Sequence, residues 1–148
     1  MNITQIGSNP ETFAVVDGNE VQRFLIAEKV ISDAGVNLFS VALPAGGVFG
    51  GFLLWTIHAS DGTDHQAFSG ITSIACVNKA GVYTTTITEL AGVQAKAVSS
   101  GTLTEAMTEV DGTNSAIFVF TPTGSLTETT YKVRFTLINN SKHPITLL

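Results

Sequence analysis

Two imidazoles and two carboxylates fall within one short run, Thr56-Ile-His-Ala-Ser-Asp-Gly-Thr-Asp-His-Gln66: His58, Asp61, Asp64 and His65. Imidazole nitrogens and carboxylate oxygens are good ligands for divalent metals. One reading is therefore a surface metal or acid–base site built on these four residues. The other is a solvated turn. Asp61-Gly62 is a hairpin signal, because both residue types tolerate the positive φ that tight turns need, and Asp side chains favour a bend by hydrogen-bonding nearby backbone. His58 and His65 then flank the turn and pair across strands. No third cluster of ligands accompanies them, so the turn is the preferred reading, and neither a metal nor another cofactor is expected.

Other chemistries have less footing. Cys76 is the single cysteine and lies among Ile71, Ile74, Ala75 and Val77. That setting predicts a buried, inert thiol, with no charged neighbour to lower its pKa. The chain has no Gly-x-Ser-x-Gly elbow. Gly46-Gly47 and Gly50-Gly51 flank Val48-Phe49 without a phosphate-loop lysine, and glycines inside a strand more often mark a bulge or a close backbone approach. Glu89, Glu105 and Glu109 are a possible carboxylate set, but nothing in the sequence brings them together, and a solvated face is the preferred reading. An enzyme is not expected.

Composition sets the class. At 148 residues the chain is one domain by length. Charged residues are 13% and hydrophobic residues 44%, where soluble domains carry roughly 25% charged residues. Threonines on exposed strand faces cover part of that deficit. A mean hydropathy of +0.31 points beyond them, to a substantial protein interface. A net charge of −5 without a Lys/Arg cluster disfavours nucleic acid. No signal peptide opens the chain. The most apolar window, 41–57, is interrupted by Pro44 and four glycines and is no membrane span. A protein made in a cytoplasm is expected, with no membrane partner.

The elements that must position these residues are strands. Residues 1–12 read as an arm or irregular lead-in and 13–148 as a single domain. Phe13–Val16 is a short strand, Val21–Ile31 is ambiguous between helix and strand and is assigned to strand, and Val36–Leu43 is a strand. Phe49–Asn78 forms a long central hairpin with Leu53, Trp55, Ile57 and Ala59 on one face. Val82–Leu90, Val93–Val98, Leu103–Val110, Ser115–Phe120, Tyr131–Leu137 and Ile145–Leu148 follow. In Tyr131–Leu137 the alternation is cleanest, with Tyr131, Val133, Phe135 and Leu137 inward. Trp55 and Phe135 are expected in one inter-sheet core. The pattern predicts an all-β fold: an antiparallel β-sandwich or jelly roll of about 8–10 short strands.

The runs Thr56–Gln66, Ser69-Gly70, Ala75-Cys-Val-Asn-Lys-Ala-Gly81, Ser100-Gly-Thr-Leu-Thr104 and Thr130-Tyr-Lys-Val-Arg-Phe-Thr-Leu137 resemble small β-sandwich structural proteins of tailed bacteriophages. These occur as capsid decoration (cement) proteins and as domains of tail and fibre proteins. The resemblance spans roughly Thr56 to Leu148, and its elements are turns and strands rather than a catalytic signature. It implies a sandwich or jelly roll, commonly trimeric, without cofactor, and it carries no functional residues over. The expectation is a non-enzymatic virion protein, a homotrimeric decoration protein that locks capsid subunits, with itself and the major capsid protein as partners. A chain starting at Met1 favours this over one domain of a long fibre. The alternatives are a tail or fibre module binding a host receptor or glycan and, more remotely, an enzyme using His58 to His65.

Overall fold

The computed structural model describes residues 2–5, 11–17, 20–32, 34–126, 130–139, 141 and 143–148. Among them lie twelve strands and no helix: β1 Asn2–Gln5, β2 Glu11–Asp17, β3 Glu20–Ser32, β4 Val36–Val41, β5 Val48–Ser60, β6 His65–Lys79, β7 Val82–Glu89, β8 Ala95–Val98, β9 Leu103–Gly112, β10 Ser115–Gly124, β11 Thr130–Asn139 and β12 Ile145–Leu147. All pair antiparallel, in two sheets. The larger runs β1-β2-β3-β11-β5-β6-β7 with β8 also on β6, and the smaller runs β12-β4-β10-β9. The expected β-sandwich class holds. The strands outnumber the expected eight to ten: β1 lies inside the polar lead-in and was not expected, whereas β8 and β12 fall within the segments read as strands at Val93–Val98 and Ile145–Leu148. Residues 1–12, read as an arm, thus contain β1 and the first two residues of β2.

The β5–β6 hairpin is the spine of the large sheet. It stays in register through thirteen consecutive pairs, from Val48↔Val77 to Ser60↔His65. Its inward side chains include the expected Leu53, Trp55, Ile57 and Ala59, all buried. Trp55 stands opposite Gly70. A Cβ at Gly70 would sit 2.5 Å from Cζ2 of the indole, so glycine there is what gives the ring its seat. The indole Nε1 donates to Thr72 Oγ1 at 3.0 Å, which gives that buried hydroxyl its partner.

Strand β11 is inserted between β3 and β5, pairing Phe135 with Ala27 on one side and with Trp55 on the other. Tyr131, Val133, Phe135 and Leu137 are all buried, and Lys132 and Arg134 face outward. The segment that was ambiguous between helix and strand is β3, held in extended form by β2 and β11 on its two sides. Pairing on both edges decides what local propensity leaves open.

The small sheet covers the inner face with aromatics. Phe39 stacks on Phe118 with ring centroids 4.7 Å apart, Phe118 meets Phe49 of β5 at 6.4 Å, and Phe120 meets Trp55 at 5.6 Å. Trp55 and Phe135 are both buried in this common core. On β4 the register steps from Phe39 opposite Phe118 to Asn37 opposite Val119, so Leu38 is the extra residue of a bulge. That is why adjacent Leu38 and Phe39 are both fully buried.

The tight turn between β6 and β7 is Ala80-Gly81, with φ of 55° and 93°, the type I′ pattern that matches strand twist. Asn78 secures it: its Oδ1 accepts from the Gly81 amide at 2.8 Å and its Nδ2 donates to the Leu43 carbonyl at 2.7 Å. Alanine tolerates a positive φ poorly, whereas asparagine adopts it readily. Ala80→Asn is expected to raise stability by on the order of 1 kcal/mol, read as a higher urea midpoint at unchanged slope.

Candidate functional site

The four residues singled out by their chemistry are all at the β5–β6 end of the hairpin. The turn is a four-residue loop, Asp61 to Asp64, closed by the Asp61 amide donating to the Asp64 carbonyl at 3.3 Å. Gly62 supplies the positive φ, at 92°. Asp61 Oδ1 accepts from the backbone amides of Asp64 at 2.8 Å and Thr63 at 3.0 Å. These two bonds, Asp64 first, hold its carboxyl below the usual carboxylate range. Asp64 Oδ1 accepts from the Ser99 hydroxyl at 2.7 Å, and Ser99 Oγ in turn accepts from the His65 amide at 2.9 Å. Both carboxylates are thereby committed to shaping the turn and tying it to the segment after β8. His58 and His65 are exposed on the outer face, but they are not opposite each other: His58 pairs with Ala67, and His65 with Ser60. Among the described residues no three of His, Cys, Asp and Glu gather as a metal set.

Cys76 is buried as its apolar neighbours predict, and burial pushes its thiol up, away from the reactive thiolate. Thr85 Oγ1 lies 3.3 Å from the sulfur.

The glutamates depart from expectation. The sequence suggested a solvated face with nothing bringing them together. In the structure Glu105 and Glu109 share the inner side of β9 with buried Leu103 and Met107, and Glu105 lies within hydrogen-bonding reach of Glu89 on β7. The signal was present in the sequence as the period-two run Leu103, Glu105, Met107, Glu109, which puts both carboxyls on the apolar side of a strand.

The outer face of the large sheet is the other feature that alternation alone did not reveal. Along β5 the outward residues are Val48, Gly50, Phe52 and Leu54, then Thr56, His58 and Ser60. Phe52 and Leu54 are 39% and 37% exposed, and Val48 is 60% exposed. Register places Ile138 beside Phe52, Ile71 beside Leu54 and Val77 beside Val48. The result is a continuous apolar band crossing β11, β5 and β6. The other half of the face is polar, with Lys132, His58 and an Arg134–Glu28 ion pair in which the guanidinium holds the Glu28 carboxyl below its usual range.

Shallow concavities lie along this face. One of about 650 Å³ is bordered by Val30, His58, His65, Ala97 and Lys132. The second, of about 460 Å³, runs beside Leu54, Ile71 and Arg134 and is overhung by Val93. Val93 belongs to the five residues, 90–94, that separate β7 from β8. Among the described residues no serine hydroxyl in either concavity is hydrogen-bonded to a histidine ring, and Ser99 donates to Asp64 instead. What the face offers is apolar surface with a charged border.

No protein-family profile matches the chain, and no curated protein matches it either. Among solved structures the fold is similar to that of the tailspike protein of Acinetobacter baumannii phage AM24, with a TM-score of 0.52 at 7% identity. The likeness covers 86% of this chain but 28% of the tailspike chain, so the present chain spans little more than a quarter of that protein's length.

Proposed function

We propose that the chain is a non-enzymatic structural protein of a tailed-phage virion, acting as a tail- or spike-type module that associates with further copies of itself. The observation that carries this reading is the fold likeness to part of a phage tailspike over 86% of the chain. The expectation from sequence put the capsid decoration protein first and the tail or fibre module second. The order is reversed because the similar fold belongs to a tail component. The apolar band around Phe52 and Leu54 supports self-association, since exposed apolar patches of this kind mark interaction sites. A homotrimer is the assembly favoured, with the band facing a neighbouring subunit.

Light scattering at micromolar concentration tests the assembly. The expected mass is a multiple of the 15.5 kDa chain, and Leu54→Glu is expected to lower it toward one chain without changing the far-UV spectrum. A monomeric mass for the unmodified protein would overturn self-association. Antibody–gold labelling of particles tests the location. Label on the tail supports a tail or spike module, and label distributed over the head would return the decoration protein, with the major capsid protein as partner.

A further inference from the structure

On the open side of the sandwich, β7 at the edge of the large sheet faces β9 at the edge of the small one. Inward-pointing charges on edge strands are a known device against unwanted edge pairing. In this protein they also create a problem. Both carboxyl oxygens of Glu105 and one of Glu109 are sealed from solvent, with no donor to them among the described residues. Across the gap the Glu89 carboxyl lies within hydrogen-bonding reach of Glu105 and itself accepts from Gln94 Nε2 at 3.1 Å. An ionised carboxylate only accepts hydrogen bonds. Glu105 is the sealed member of the pair and Glu89 the exposed one, so an ionised Glu105 beside an ionised Glu89 is left uncompensated unless one of them carries a proton.

The surrounding groups do not supply another solution. Lys96 of β8 is directed at the Leu103 carbonyl, 2.9 Å away, with its Nζ 4.7 Å over the Phe68 ring. Asp111 near the end of β9 acts on Glu109, and Glu109 on Cys76 of β6, so neither relieves Glu105. Glu109 lies on the same side of β9 and adds negative charge.

We propose that one proton shared between Glu105 and Glu89 latches β9 to β7, and that raising the pH releases this latch and opens the side of the sandwich. Burial first, and then the Glu89 carboxyl, push Glu105 up to about 8 from the ordinary 4.5. Between those two values the folded chain keeps a proton that the unfolded chain has lost, so stability falls as pH rises. The contribution is complete below about 4.5, declines through neutrality and is spent above about 8.

The full-length chain reports on this directly. Its melting temperature is expected to fall steadily from pH 5 to pH 8 and then level off. In Glu105→Gln the amide donates to Glu89 at every pH, so most of that slope should vanish, and the variant should melt higher than the unmodified protein at pH 9. Cys76, buried next to this seam, supplies a second readout through its rate of alkylation by iodoacetamide. At pH 6 the two proteins should react alike. At pH 9 the unmodified protein should react at least tenfold faster, and comparison at equal pH cancels the ionisation of the thiol itself. Equal slopes, or equal rates at pH 9, would overturn the latch. Should Glu105→Gln not fold, Glu89→Gln removes the charge beside Glu105 and supplies a donor to it, so the pH slope must become shallower although burial keeps part of it; an unchanged slope would likewise overturn the latch.

Discussion

Replacing Trp55 with alanine is expected to cost about 3–5 kcal/mol of folding stability, the range for deleting a buried aromatic. The side chain is 2% exposed and is the main bridge between the sheets on its half of the core. Its ring meets Phe68 edge-on at 4.9 Å within the large sheet and Phe120 at 5.6 Å across the gap. Truncation also removes the donor to Thr72 Oγ1, whose residue has no solvent exposure. Urea denaturation followed by circular dichroism checks the figure, since fluorescence is lost with the only tryptophan. Trp55→Phe should recover part of the packing while leaving Thr72 without its donor. A loss below about 1 kcal/mol for the alanine variant would put the indole outside the core.

Phe118→Ala is expected to have an effect of the same order, about 3–5 kcal/mol, for a different reason. Phe118 has no exposure and is the centre of an aromatic row, stacked on Phe39 at 4.7 Å and 6.4 Å from Phe49. Removing it opens a cavity between three strands whose backbones are held by ladders on both sides and cannot close in. Guanidinium denaturation should show a lower midpoint with the slope unchanged. With total stability of a domain of this kind at roughly 5–15 kcal/mol, combining this variant with Trp55→Ala is expected to leave the chain unfolded.

The strands of this fold were legible where one face is apolar and the other is not. Tyr131 to Leu137 declares its inner face because Lys132 and Arg134 stand between the buried residues, and β11 is where the sequence places it. The first half of β5 was harder, because Phe52 and Leu54 are apolar on the outer face too, and a run apolar on both faces does not show which side is buried. The Leu38 bulge could not be read at all: a break in period two looks the same whether the strand bulges or ends. Partner choice was also hidden. That β11 slots between β3 and β5 is a long-range fact of register, which turn signals between sequence neighbours do not encode. The candidate residues divide the same way. Asp61 announced its turn through the glycine that follows it. Glu105 announced its inward direction through Leu103 and Met107, but its counterpart Glu89 lies on another strand of another sheet.

The insertion of β11 bears on the order in which the chain acquires its shape. β5 and β6 pair as a local hairpin, which closes on the microsecond scale once both are available. β3, by contrast, pairs with β2 on one side but is joined to β5 only through Thr130–Asn139 on the other. During synthesis at roughly 5–20 residues per second, the approximately 80 residues from the end of β5 to the end of β11 take on the order of 4–16 s to appear. For that interval one side of β3 and one side of β5 both present unpaired amides and carbonyls to whatever is nearby. The large sheet is therefore completed from its middle, late, and a nascent chain stalled before β11 carries two open edges at its centre.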